Sequence, residues 1–125
     1  MHRQTQQRRA IEAAFTSAGR PLAPYEILEA ARNQSPSLNL ATVYRTLKRM
    51  VEENALHPVE LPGEPARYEL RTAADHHHHH FRCQRCNSVF DLRGCVGGLK
   101  KLLPSGFRMT DHEIVLYGYC PACIA

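Results

Sequence analysis

The sequence predicts an α+β fold in two parts: three helices and a β-hairpin over residues 1–71, then a small α/β region with an antiparallel sheet over residues 72–125. Three observations predict it. Apolar residues recur at helical spacing three times in the first half. A Pro62-Gly63-Glu64-Pro65 turn then separates two short strand-like runs. Two Cys-x-x-Cys pairs, Cys83/Cys86 and Cys120/Cys123, bracket the second part.

Residues 8–18 read as the first helix, with Ile11, Ala14, Phe15 and Ala18 on one face and Gly19 closing it. Gly19-Arg20-Pro21 makes the turn. Pro24 at a first-turn position opens a second helix to residue 33, with Ile27, Leu28 and Ala31 inward. Pro36 breaks the chain, and Asn39 caps a third helix running to residue 53. Asn54 takes the left-handed position that ends it. On this third helix Leu40, Val43, Leu47, Met50 and Val51 form an apolar stripe. Thr42, Arg45 and Arg49 lie opposite it, flanked by Tyr44 and Lys48. Arg and Lys reach phosphates and guanine edges, and Thr and Tyr reach thymine methyls and phosphate oxygens. A solvated basic face is the plain alternative. Residues 55–61 and 66–70 read as two strands. Three helices and a hairpin in this order make a winged helix-turn-helix, with Arg67 in the wing as a DNA-backbone contact. Residues 71–75, small and polar, read as a hinge.

The second part begins with Asp75 and five consecutive histidines, His76–His80, which run into the first Cys-x-x-Cys. Strands are expected at 76–82 and 88–92, a short helix at 96–103 weakened by Gly97 and Gly98, and a long strand or strand pair at 107–117. Two Cys-x-x-Cys knuckles are the ligand set of a closed tetrahedral zinc site, here Cys83, Cys86, Cys120 and Cys123. Disulfides are the competing use of these thiols. They are disfavoured because no signal peptide is apparent and cytosolic thiols stay reduced, which fits a cytoplasmic protein. The histidine run is internal, unlike an expression tag, and reads either as a polar loop or as a metal-binding strand. Side chains alternate along a strand, so His76, His78 and His80 would face one way and His77 and His79 the other. Imidazole suits zinc, iron, nickel and copper, so the run does not choose the metal. Cys95 is the remaining thiol. A small core cysteine is the favoured reading, with an extra ligand or a redox-active thiol as the others.

The net charge of +4 over 125 residues permits a nucleic-acid partner without requiring one. No apolar run is long enough to cross a membrane. A zinc hydrolase needs a general base beside its metal, as in His-Glu-x-x-His; Glu113 follows His112, but a second histidine at that spacing is absent. A metal-storage or chaperone protein would use the histidines and leave the third helix unexplained.

Four stretches in this order carry a resemblance: Ala41-Thr42-Val43-Tyr44-Arg45-Thr46-Leu47, Arg67-Tyr68-Glu69-Leu70, His77 through Cys86, and Gly118-Tyr119-Cys120-Pro121-Ala122-Cys123. Together they resemble the ferric uptake regulator superfamily of metal-responsive repressors over nearly the whole chain. The resemblance implies a homodimer with an N-terminal winged helix on double-stranded operator DNA and a C-terminal dimerisation domain. It implies a DNA-binding repressor of metal-uptake or homeostasis genes, and no catalytic residues. Tyr44 and Arg45 match the recognition-helix pair. The four cysteines match the structural Zn2+ ligands, and Glu69, His78, His80 and Asp91 match a regulatory site for Zn2+ or for Fe2+ or Mn2+. His77, His79 and His112 match a second site, whose carboxylate aligns near Gly98. Iron- and peroxide-sensing relatives place a histidine where this chain has Pro21, and the loop around it is closer to the zinc-uptake-regulator branch. A zinc-responsive repressor is therefore expected, with iron-, manganese- or peroxide-responsive repressors of the same family as alternatives.

Overall fold

The computed structural model describes residues 2–74 and 79–124. The chain forms two compact units, Met1–His76 and His77–Ala125.

The first unit packs α1 (His2–Ala18), α2 (Pro24–Ala31) and α3 (Leu40–Glu52) beside a hairpin of β1 (Leu56–Val59) and β2 (Arg67–Leu70). Helix α1 begins at His2 rather than residue 8. Its first residues carry no apolar stripe, but Gln and Arg are good helix formers and extend it. It buries Gln7, Ala10, Ile11, Ala14 and Phe15 at successive i, i+3 and i+4 steps, whereas Ala18, expected inward, is exposed. Gly19 takes the left-handed conformation (φ 62°) that stops α1, its N–H bonding Phe15 O at 3.1 Å. Helix α2 starts at Pro24 behind Ala23, whose N–H donates to Glu26 Oε1 at 3.0 Å. The α helix ends at Ala31, and residues 32–34 form a turn. Asn39 caps α3 by accepting the Thr42 N–H at 2.9 Å, and Asn54 ends it at φ 61°.

One core joins these helices to the hairpin: Ile11, Phe15, Ile27, Leu38, Val43, Leu47, Met50 and Leu56 are all sealed from solvent. The wing strands pair antiparallel, Leu56 opposite Leu70 and Val59 opposite Arg67. Leu22 adds a further rung, exchanging two backbone hydrogen bonds of 2.8 Å with Tyr68, so the α1–α2 loop is tied to the wing. Pro21 is buried in this tie. Arg67 does not stand out as a backbone reader. It is buried, with Nη1 3.4 Å from Glu64 Oε1 across the hairpin turn. The expected hinge is in part helical: α4 (Arg71–Ala74) makes a single turn, its first N–H held by Ala55 O at 2.9 Å.

The second unit is a three-stranded sheet of order β4-β3-β5, built from β3 (His79–Cys83), β4 (Val89–Leu92) and β5 (Val115–Gly118). Strand β3 runs antiparallel to β4 and parallel to β5. The helix expected at 96–103 shrinks to a 3-10 turn at Leu99–Leu102, because Gly98 sits in the left-handed region (φ 82°) and prevents an earlier start. The long strand expected at 107–117 is only Val115–Gly118; residues 107–114 have no regular structure. Strands form where a neighbour supplies hydrogen-bond partners, and the β3 ladder pairs residues only from Val115 onward, with Ile114 O accepting the first bond from the His80 N–H at 3.0 Å. Gly118 lies against Phe81, whose ring would be 3.2 Å from any added Cβ. Among the described residues Cys83, Val89, Cys120 and His79 are the buried side chains of this unit, a thin core.

Truncating the centre of the first unit, Leu47→Ala, is expected to cost about 2–5 kcal/mol by transfer and cavity terms. Urea unfolding followed by helical circular dichroism measures it; a loss below about 1 kcal/mol would mean that α3 is not anchored by this stripe.

Candidate metal centres and nucleic-acid interface

The two knuckles come together at one end of the small sheet. Cys83 ends β3, and Asn87 turns the chain back at φ 63°, its N–H donating to Cys83 O at 2.9 Å. Cys120 follows β5, whose Gly118 lies in register with Cys83. The four sulfurs of Cys83, Cys86, Cys120 and Cys123 all lie within 4.8 Å of one another, and Cys86 Sγ is 3.8 Å from Cys120 Sγ. A zinc–sulfur bond of about 2.3 Å places neighbouring sulfurs of a tetrahedron about 3.8 Å apart. The donor set and its spacing therefore fit zinc, and all five cysteines of the chain are free thiols.

The electrostatics of the cluster are uneven. Cys83 Sγ accepts the N–H groups of Cys86 and Cys120, each at 3.4 Å, and these backbone dipoles hold its thiol down to about 5. The side-chain and backbone hydrogen-bonding groups of Ser88 lower Cys86. Burial, followed by hydrogen bonding to the other thiols, pushes Cys123 up to about 12. The set cannot shed all its protons without a cation to offset the sulfur charges. Arg85, which the sequence reading passed over, clamps the knuckles together. Its Nη1 donates to Cys123 O at 2.9 Å, and its guanidinium lies 5.2 Å from the centre of the Tyr119 ring. The signal was present as a cation between the paired cysteines, but its target is distant in sequence.

The histidines at the start of β3 fall on different groups. His80 lies opposite Asp91 in the β3–β4 ladder, with Nε2 3.1 Å from Asp91 Oδ1 and no hydrogen-bond alignment between those two atoms. Two donors thus converge without satisfying each other, an arrangement suited to a shared cation. His79 is buried and sits near His112, their ring centroids 5.0 Å apart. His77 and His78 lie outside the described residues. Glu69 is on β2 of the first unit, opposite His57. Cys95 is not a core residue: it is exposed, in the loop after β4, and its sulfur is 2.9 Å from His112 Nε2.

Helix α3 presents a different chemistry. Val43, Leu47 and Met50 are buried, while Tyr44, Arg45, Lys48 and Arg49 are exposed and Thr42 is half-buried. Arg45 Nη2 donates to Thr42 Oγ1 at 3.1 Å, which holds the guanidinium beside the helix N-terminus. A shallow polar cleft between α1 and α3 is lined by Arg8, Asn39, Thr42, Arg45, Thr46 and Arg49. Arg8 is partly neutralised there by Glu12 at 3.1 Å and Glu53 at 2.7 Å. The remaining cations suit a polyanion.

The model of the ferric uptake regulator family matches residues 1–117. The chain is 31% identical over 127 residues to the ferric uptake regulation protein of Synechocystis, covering 98% of this chain and 77% of that protein. Its fold is similar to the iron-containing ferric uptake regulator of Francisella tularensis, with a TM-score of 0.68, 26% identity and coverage of 94% and 91% of the two chains. It is also similar to a zinc uptake regulator complexed with zinc and DNA, with a TM-score of 0.56, 26% identity and coverage of 94% and 81%. Members of this family are transcription regulators rather than enzymes, and no described helix here is long and apolar enough to cross a membrane. A winged three-helix unit, a cysteine cluster with the spacing of a zinc site and the family match over nearly the full length lead to one conclusion: the chain belongs to the ferric uptake regulator family of metal-responsive transcriptional regulators.

Proposed function

We propose that this chain is a zinc-responsive repressor that binds operator DNA as a homodimer in the cytoplasm and controls genes of metal-ion uptake or homeostasis. The observation that carries the reading is the exposed Tyr44, Arg45, Lys48 and Arg49 face of α3 in a chain that also gathers separate metal-ligand groups. A storage protein would have no use for that face.

In this reading Cys83, Cys86, Cys120 and Cys123 hold a structural zinc, and Glu69, His78, His80 and Asp91 hold the sensed ion. Filling of the sensed site favours the DNA-binding form of the dimer. Operator half-sites are spaced by helical turns of about 34–36 Å, so a dimer reads both only at one separation. Metal binding and DNA binding are then linked equilibria. The dimer contact is assigned to the open edge of β5. Among described strands β5 pairs only with β3, and it exposes Leu116 and Tyr117, with Tyr119 just beyond. Zinc is favoured because Pro21, where iron- and peroxide-sensing relatives supply a histidine, is buried and offers no donor. Iron or manganese is the second reading, supported by the oxygen and imidazole donors of His80 and Asp91.

The test uses a duplex selected from random-sequence DNA in the presence of zinc. Replacing His78 and His80 together with Ala is expected to abolish zinc-dependent binding while the four-cysteine site keeps its zinc; full zinc-dependent binding by that variant would refute the assignment. Arg45→Ala is expected to cost about 1–3 kcal/mol of binding to the selected duplex, with metal content unchanged. Unchanged affinity would show that α3 is not the reading helix.

A further inference from the structure

Three side chains outside the four-cysteine cluster also converge. His79 opens β3, Cys95 lies in the loop after β4, and His112 lies in the irregular stretch before β5. Cys95 Sγ is 2.9 Å from His112 Nε2 and 3.4 Å from His79 Nε2, and one ligand atom from each residue falls within 4.8 Å of the others. Nothing in the sheet requires this. The positions are far apart in sequence, and two of them are on segments without regular structure. An ion bound by one thiolate and one imidazole, with metal bonds of about 2.3 and 2.0 Å, holds those atoms about 3.5 Å apart. The His79–Cys95 separation already has that value, and the exposed Cys95 can give way at His112.

The geometry points to a second, thiolate-containing metal site formed by His79, Cys95 and His112, which takes a borderline-soft divalent ion of the zinc class. It rests on the family reading in sharing His79 and His112 with the second site that the sequence resemblance implies, and it departs from that site in the remaining ligand. The carboxylate expected there aligns with Gly98, which has no side-chain donor, and Cys95 supplies sulfur in its place. That exchange matters chemically. Two imidazoles with a carboxylate suit manganese and ferrous iron as well as zinc, whereas a thiolate shifts preference toward zinc and its softer neighbours. Three protein ligands leave a fourth position open. His79 is buried and Cys95 exposed, so the open side faces solvent and the ion can exchange.

The local hydrogen bonds set how the site fills. His79 Nδ1 accepts the Ile114 N–H at 3.2 Å, so the neutral ring carries its proton on Nε2, facing the Cys95 sulfur. To bind an ion at Nε2 the neutral ring shifts its proton to Nδ1, which can then no longer accept the Ile114 N–H, and Cys95 releases its thiol proton to solvent. This cost makes the site weaker than the four-cysteine cluster. His112 is oriented by its own turn, its N–H bonded to Asp111 Oδ1 at 2.8 Å. Filling the site would staple the irregular stretch 107–114 and the loop after β4 to the head of β3.

The experiment reads Cys95 directly in the full chain. Protein is treated with a mild chelator that leaves the four-cysteine zinc in place, then given zinc chloride, and alkylation by iodoacetamide is followed cysteine by cysteine by peptide mass spectrometry. Zinc is expected to slow alkylation of Cys95 by about tenfold or more, since a bound thiolate is no longer a free nucleophile. Manganese is expected to leave the rate unchanged, and His112→Ala to remove the zinc effect with the four knuckle cysteines still protected. Equal Cys95 rates with and without zinc, equal protection by manganese, or protection that survives His112→Ala would each overturn the site. None of these readouts involves DNA, so failure of the repressor reading and failure of this site are told apart.

Discussion

Convergence of four cysteine sulfurs is the constraint on which the second unit depends. Its sheet is small, and among its described residues few side chains are buried. Hydrophobic burial on that scale does not hold three short strands and two knuckles together. The sulfurs instead link the end of β3 to the chain beyond β5, and Arg85 reinforces the same junction from the surface. A structural zinc bound in such a set contributes on the order of 10–16 kcal/mol of folding free energy, enough to replace a core. The uneven acidities point the same way. Backbone N–H groups favour thiolate at Cys83, while burial keeps the proton on Cys123, so the bare cluster is frustrated and a divalent cation relieves it.

The first unit is stabilised differently, by a continuous apolar core through three helices and a wing. That core fixes the direction of α3, and the direction of α3 decides which side chains meet a partner. A preformed apolar core here and clustered metal-ligand side chains there are complementary properties for a regulator. The exposed basic face of α3 is preformed by that core.

Much of this was legible in the sequence where the signal is local. The apolar stripe of α3 repeats at every turn, and its exposed polar face follows by geometry. Cys-x-x-Cys spacing encodes a knuckle within four residues. The alternation of a strand separates His79 from His80, and in the structure His80 meets Asp91 while His79 meets Cys95 and His112. What was not legible depends on distant partners. Residues 107–114 have the composition of a strand, but the described ladder with β3 pairs only Val115–Gly118, so only that stretch forms one. Arg67 looked like a wing cation until the fold buried it beside Glu64. Leu22 gave no sign of its bridge to Tyr68, and Cys95 gave none of the two imidazoles that the loops bring to it.

The most direct test is amide hydrogen exchange before and after complete zinc extraction under reducing conditions. The account predicts that protection of Phe81–Cys83 and Val115–Gly118 collapses while Val43–Met50 keeps its slow exchange. Persistent protection of the β3–β5 ladder in metal-free protein would contradict it.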